Sequence, residues 1–323
     1  MSLALGIILS FTAAFAWGTG MVIFKVGVKH TDPLTATYVK GLLAVPILIV
    51  VGLIIYGSNS FAQPFQTDNL LWLLLSALFI ALGDFFSLFA LRKIHVSIAQ
   101  PITTIYPFVT ILLLIVTNTE YISWEIIIGT SLIIIGVTII TYFSRKKDNA
   151  KIKLNDSQID EESNELIDVT EKKAPILGII LALLAAVFWG GTIFFTRKLL
   201  EDPDIEVISM MGVRNGLMVV TALIAALSYS LIKNKGVKKP HAVHYKELGI
   251  LMGGGVISWC IGGVSFFTAV GMIGAGISTP LSSISPFIVL LLGSIFLKEK
   301  IKLPQIIGVA IIVGGSVLLS LAG

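Results

Sequence analysis

Ten apolar runs, each of roughly 20 residues, constrain the fold of this chain more than any other feature of its sequence. A helix of that length crosses a hydrocarbon layer of about 30 Å. Lipid offers backbone groups no hydrogen-bond partner, so each run must satisfy its own backbone as a helix. The sequence therefore predicts an all-α polytopic membrane protein with ten transmembrane helices. The runs cover residues 4–24, 33–56, 70–91, 97–117, 123–143, 176–196, 207–232, 247–271, 277–296 and 304–322.

The composition excludes a water-soluble globule of this size. Of the 323 residues, 55% are hydrophobic and 13% are charged, whereas soluble domains carry about 25% charged residues. The basic residues lie in short connections between the runs, which encodes membrane orientation and argues against a nucleic-acid partner. The single cysteine, Cys260, lies inside the eighth run, which excludes disulfides and a thiolate metal site. We expect no metal and no cofactor.

The same sequence pattern occurs twice. The stretch FAWGTGMVIFK at 15–25 aligns with VFWGGTIFFTR at 187–197, which places Trp17 and Trp189 in register. We therefore predict a first five-helix repeat over residues 1–144 and a second over 175–323. The charged segment 145–174 between them, which has no aromatic residue, is expected to be a disordered linker.

The fourth and ninth runs align even more closely. PITTIYPFVTILLL, which starts at Pro101, matches PLSSISPFIVLLLG, which starts at Pro280. A repeat with an odd number of spans must insert its second copy upside down. The sequence therefore predicts two inverted five-helix repeats, a recurring arrangement in secondary transporters.

The loop charges predict how the chain is oriented. Most of the 23 lysine and arginine residues lie in alternate connections, and the opposite side has only Arg197 and Lys198. The positive-inside rule assigns the basic side to the cytoplasm. We expect a multi-pass protein of the cell membrane whose two termini are not cytoplasmic.

These features resemble the drug/metabolite transporter superfamily, EamA type. The resemblance rests on the five-plus-five arrangement, on a Trp-Gly pair at Trp17 and at Trp189, and on the prolines of the fourth and ninth runs. It covers both halves of the chain. It implies a secondary transporter, not an enzyme, that moves a small organic metabolite by alternating access through a central cavity between the repeats. The cargo itself is not specified, because members of this family carry very different solutes.

A second function stays open, namely a flippase for a lipid-linked substrate. Such a protein would need a lateral opening toward lipid. A membrane enzyme or a receptor scaffold is disfavoured, because the sequence offers neither a catalytic set nor a folded soluble domain.

The fourth and ninth runs are the first candidates for contact with cargo. Pro107 and Pro286 remove a backbone hydrogen bond and are expected to kink these helices. Kinked helices with nearby hydroxyls suit a cavity at the bilayer midplane. The alternative is that the hydroxyls bond their own backbone or a neighbouring helix. The candidate substrate-binding side chains here are Thr104, Tyr106, Ser283 and Ser285.

Trp17 and Trp189 are candidate walls of the same site. Both lie more than two turns from the predicted ends of their helices, away from the interfacial belt where tryptophan is usual. The alternative is simple packing against the small residues that follow each ring.

Three ionisable residues fall inside the predicted spans, where charge is costly. Lys40 and Asp84 lie at similar depth from one side, and Arg214 is the repeat equivalent of Lys40. In one interpretation, Lys40 and Asp84 form a structural ion pair, and Arg214 snorkels or bonds free carbonyls. In the other, Arg214 binds an anionic group of the cargo and Asp84 takes up a coupling proton.

Overall fold

A computed structural model describes residues 2–27, 31, 33–93, 102–156, 174–233, 245–296 and 303–322. A π-helical segment, Val256–Gly263, joins the helix Tyr245–Gly255 to the helix Val264–Ile273 without a break. Two short 3-10 turns, Ser58–Phe61 and Gln63–Phe65, follow the helix Gly41–Tyr56. The α-helices in chain order are α1 (Ser2–Gly27), α2 (Pro33–Val39), α3 (Gly41–Tyr56), α4 (Thr67–Lys93), α5 (Tyr106–Val116), α6 (Trp124–Asp156), α7 (Ala174–Leu199), α8 (Val207–Lys233), α9 (Tyr245–Gly255), α10 (Val264–Ile273), α11 (Ala275–Ser282), α12 (Ser285–Phe296) and α13 (Leu303–Leu321).

The all-helical membrane class is confirmed. Within the described ranges, seven helical stretches are long and apolar enough to cross a bilayer: Leu3–Phe24, Thr35–Tyr56, Thr67–Ser87, Ile176–Leu199, Val207–Ser228, Tyr245–Ile273 and Leu303–Leu321. The other three expected spans, 97–117, 123–143 and 277–296, contain shorter apolar helices. The count of ten spans therefore stays a prediction.

The segment expected to link the two halves begins as helix. α6 continues to Asp156, well past the end of the fifth apolar run at residue 143. Residues 157–173 lie outside the described part of the chain. Disorder in that remainder stays a prediction.

The main helix contacts pair one half of the chain with the other. α4 packs along α7, α6 along α13 and α3 along α8, while α1 packs along the continuous helix formed by α9, the π-helical segment and α10. The largest apolar cluster mixes both halves, with Leu73 and Leu114 packed among Met210 and Phe266. The two halves therefore share one core.

Glycines bring α6 and α13 into backbone contact at two places. A methyl group on Gly315 would lie 2.7 Å from the Gly129 carbonyl oxygen, and one on Gly136 would lie 2.6 Å from the Gly308 carbonyl oxygen. Adding 179 to the numbers 129 and 136 gives 308 and 315, so the two contacts are repeat equivalents of each other. Small residues at such crossings let membrane helices pack by close van der Waals contact.

We predict that Gly315→Ala lowers the free energy of unfolding by about 1–3 kcal/mol, the usual cost of overpacking a tight contact. The neighbouring Gly314 is a matched control, because a methyl group there meets nothing within 4 Å. Unfolding of both variants in detergent, followed by circular dichroism, measures the difference. If Gly315→Ala is as stable as Gly314→Ala, the described crossing is wrong.

Candidate functional site

The fourth and ninth spans are interrupted at equivalent points. α5 begins at Tyr106 and α12 at Ser285, so Pro107 and Pro286 each occupy the second position of a new helix. The two residues before each helix form a turn. Proline suits the first helical turn, because its missing N–H would have no partner within the helix there. Its ring also disfavours helical geometry in the residue before it.

Two of the four candidate residues around these breaks, Thr104 and Ser283, are buried, whereas Tyr106 and Ser285 are half-buried. The Ser283 hydroxyl donates to the Pro280 carbonyl oxygen at 2.7 Å. The side chains of Tyr106 and Ser282 interact across the two breaks. The breaks of the fourth and ninth spans therefore lie next to each other.

The two tryptophans hold equivalent places but have different partners. Trp17 lies against Gly262 and Trp189 against Gly83, where the glycines are 179 residues apart. Trp17 Nε1 donates to a backbone carbonyl, that of Ser258, at 3.0 Å. Ser258 belongs to the π-helical segment, a helix form that is frequent at functional sites.

Trp189 instead joins the buried ion pair. Its Nε1 donates to Asp84 Oδ1 at 3.1 Å, while Lys40 Nζ donates to Asp84 Oδ2. Lys40 Nζ also lies 5.8 Å from the ring centroid of Phe24 and 5.4 Å from that of Trp259. Both oxygens of the carboxylate are therefore occupied, one from each half of the chain. The structure places Lys40, Asp84 and Trp189 together; the ion-pair interpretation names only Lys40 and Asp84.

Arg214 makes no direct ion pair with Asp84, although it feels that carboxylate electrostatically, and its hydrogen bonds go to other residues. Its guanidinium donates from Nη1 to Thr196 Oγ1 at 3.0 Å, and from Nε and Nη2 to Asn215 Oδ1 at 3.3 Å and 3.1 Å. It stacks over the Phe267 ring with Cζ 4.6 Å from the centroid. The side chain is only 4% exposed, so it does not snorkel. Its acceptors are side chains rather than the backbone carbonyls that one sequence interpretation assigned to it.

No counter-ion accompanies this guanidinium among the described residues. Ion pairs there join Lys40 to Asp84, Arg197 to Glu120 and Lys198 to Glu201, and none involves Arg214. Sequence reasoning identified Arg214 but not its two acceptors, because Thr and Asn are common in membrane helices as simple packing residues.

A second polar junction forms at the end of the fourth span. Glu120 accepts from Arg197 Nε at 2.6 Å and from the backbone N–H groups of Ala275 at 2.8 Å and Gly276 at 2.9 Å. The carboxylate therefore caps α11, where the helix dipole favours negative charge. The chain breaks before α11 at Gly274, whose φ of 80° lies in the left-handed region that favours glycine. This glycine was the feature of the sequence that could have indicated the junction. The repeat equivalent, Glu299, lies outside the described residues.

Comparison with known proteins identifies a family. The profile of the EamA-like transporter family matches this chain twice, over residues 4–142 and 176–321. An uncharacterized transporter of Archaeoglobus fulgidus is 24% identical over 318 residues, which are 98% of both chains. An uncharacterized protein of Methanocaldococcus jannaschii is 35% identical over 147 residues, which are 45% of this chain and 96% of that protein. A crystal structure with 16% identity has the same fold, with a TM-score of 0.70 over 98% of both chains.

The contribution of the buried ion pair to stability can be tested by substitution. We predict that Asp84→Asn lowers the free energy of unfolding by about 3 kcal/mol, because it leaves the Lys40 ammonium without a counter-ion. Adding Lys40→Met to that variant should restore much of the loss.

Titration with sodium dodecyl sulfate of the protein in mild detergent measures these changes. Glu201→Gln is the matched control, because it breaks an exposed pair with Lys198 and should cost under about 1 kcal/mol. An Asp84→Asn variant as stable as this control would show that the buried pair contributes no net stability.

Proposed function

Because the chain belongs to the EamA-like transporter family, we propose that it is a secondary transporter that moves a small organic metabolite by alternating access. Family membership already makes it a multi-pass membrane protein that transports small compounds. To this we add a mechanism, in which a central cavity between two inverted five-helix repeats opens to each side of the membrane in turn.

The observation that carries this proposal is a set of contacts that recur with the halves exchanged. A methyl group on Gly18 would lie 2.9 Å from the Ser285 carbonyl oxygen, and one on Gly190 would lie 2.7 Å from the Tyr106 carbonyl oxygen. Ser285 and Tyr106 are repeat equivalents, as are the two glycines. The same exchange relates the tryptophan contacts and the glycine crossing of α6 and α13.

The comparisons support the same duplication. The family profile matches each half separately. The Methanocaldococcus relative is about as long as one half, since a 147-residue alignment covers 96% of it. Two copies of one scaffold in opposite orientations give two packings of similar energy, one open to each side of the membrane.

Polar contacts close one side of the molecule in the described conformation. Glu120 ties the loop after α5 to Arg197 at the end of α7 and to the start of α11. The loop charges assign this side to the exterior. We name the contact of Glu120 with Arg197 and the α11 N-terminus the outer latch.

Two further contacts on that side join the halves. Asn69 Nδ2 donates to Asp202 Oδ2 at 2.6 Å, which lowers the pKa of that carboxyl. The Ser60 and Ser209 hydroxyls lie 2.7 Å apart. All these links must part for the cavity to open outward.

The proposed cargo cavity lies between the interrupted spans and the two tryptophans. Its proposed lining residues are Trp17, Trp189, Thr104, Tyr106, Ser283 and Ser285. The sequence shows no ATP-binding motif, so we assign the driving force to solute or ion gradients. Asp84 already accepts from Lys40 and Trp189, which favours a structural role for it over a proton carrier.

We test alternating access by labelling one cysteine from each side of the membrane. Ser283→Cys is placed in a Cys260→Ala background, and a membrane-impermeant maleimide is applied from either face of oriented vesicles. Removing the charge of the outer latch with Glu120→Gln should raise the outer labelling rate about tenfold, since charge-assisted hydrogen bonds contribute about 1.5–3 kcal/mol.

Inner labelling should fall in the same variant, because the two openings exclude each other. Glu125→Gln is the control, as Glu125 is exposed and lies five residues further along the chain. Outer and inner labelling that rise together would indicate a continuous pore and contradict alternating access.

Uptake into proteoliposomes distinguishes the proposed carrier from the flippase alternative. We expect unlabelled solute inside the vesicles to accelerate entry of the same solute in labelled form. Exchange of one molecule for another through a single site requires this. If no water-soluble compound enters and a lipid-linked headgroup changes leaflet instead, the flippase assignment replaces the carrier.

A further inference from the structure

We propose that Arg214, Asn215 and Thr196 form the cargo's anion-binding site, and that the cargo is a small organic anion carrying one negative charge on a carboxylate. This inference rests on the proposed transport function and adds the chemical class of the substrate.

The first argument is charge balance inside the membrane. Lys40 and Asp84 neutralise each other, whereas Arg214 is buried with no acid within ion-pairing distance among the described residues. Asp84 is near enough to interact electrostatically with Arg214, but it is already paired with Lys40, so these three groups carry one excess positive charge. An excess charge at this depth is costly and marks a functional site by default. A bound group with one negative charge restores neutrality, but a doubly charged phosphate monoester would leave an excess of one.

The second argument is the supply of unused donors. A guanidinium has five N–H groups, and three hydrogen bonds lead from Arg214 to its two described acceptors. The Asn215 side chain is 1% exposed, and its Nδ2 group has no hydrogen-bond partner within the described structure. Buried amide donors are normally satisfied, so this cluster lacks an acceptor. A carboxylate supplies two oxygens that match the planar fork of arginine.

The third argument is position. Thr196 lies seven residues after Trp189 on α7, two turns further along the same helix face. The anion site therefore lies on the face that carries one proposed wall of the cargo cavity. Phe267, on α10, lies against the guanidinium in a cation–π contact, which adds an aromatic wall to the anion site.

The chain offers a variant that separates binding from folding. Asn215→Asp keeps the oxygen that accepts from Arg214 but adds a permanent negative charge beside it. We expect this variant to unfold at the same temperature as the wild type or higher, while it no longer binds the anion. Asn118→Asp is the matched control, since it adds the same charge at an exposed loop position.

The assay is thermal unfolding and proteoliposome uptake of the full chain with a panel of small monocarboxylates. Each is paired with its neutral amide, and benzoate is also compared with benzamide and phenyl phosphate. We expect at least one monocarboxylate, and not its amide, to stabilise the wild type and the Asn118→Asp control. Arg214→Gln and Asn215→Asp should each weaken that binding tenfold or more.

Three results would overturn the inference. They are stabilisation by chloride with no effect of any carboxylate, equal binding of a carboxylate and its amide, and unchanged binding by Asn215→Asp. In each case, uptake of other solutes would leave the proposed carrier function intact. If no solute of any class enters, the carrier function itself fails, and this inference fails with it.

Discussion

Close contact between helix backbones at glycine is the interaction on which the rest of this structure depends. Lipid tails are as apolar as the helices, so membrane helices associate through van der Waals packing and interhelical hydrogen bonds rather than through hydrophobic burial. Where α6 crosses α13, glycines bring carbonyl oxygens within contact of the facing backbone. The Gly18 and Gly190 contacts do the same for the interrupted spans. Such contacts hold the halves together, yet they leave few side chains to disengage when the halves move.

Two buried charged residues, Asp84 and Arg214, differ in how their surroundings satisfy their charge. The Asp84 carboxylate is satisfied on both oxygens, by Lys40 from the same half and by Trp189 from the other. Arg214 is hydrogen-bonded only to neutral groups and shares Asp84 electrostatically with Lys40, which leaves one positive charge in excess. The repeat explains the difference, because the residue equivalent to Asp84 is Gly263. In the proposed repeat arrangement, the two halves are therefore chemically unequal at this position, since only the first carries an acid there.

The sequence predicted the features that depend on periodicity and alignment. Runs of apolar residues indicated the helices, and the duplicated Trp-Gly and proline patterns indicated contacts that the structure shows in equivalent pairs. The depth of Lys40 and Asp84 along their helices was enough to predict that they could pair. Partners such as Thr196 for Arg214 were not predictable, because they depend on which helix faces which. The helix α6 extends to Asp156, and the linker expected from charge composition over residues 145–174 stays a prediction.

The partners of Glu120 in the outer latch were not predictable for a related reason. Glu120 is far in sequence from Arg197 and from α11, and only the folded chain brings the three together. A carboxylate at the end of a span is usually a simple helix-end residue. Here it joins three helices across the boundary between the halves, which makes this side of the molecule the natural place to observe a change of state.

The most direct measurement of the central claim is the distance between the two halves across that side. Spin labels at Tyr121, which is 91% exposed, and at the exposed Asp204 would flank the outer latch in a Cys260→Ala background. Double electron–electron resonance in lipid nanodiscs should resolve two populations of the distance between the labels. Adding a transported solute should change the fraction of molecules that show the longer distance. A single distance that no solute alters would contradict alternating access between two packings of the repeats.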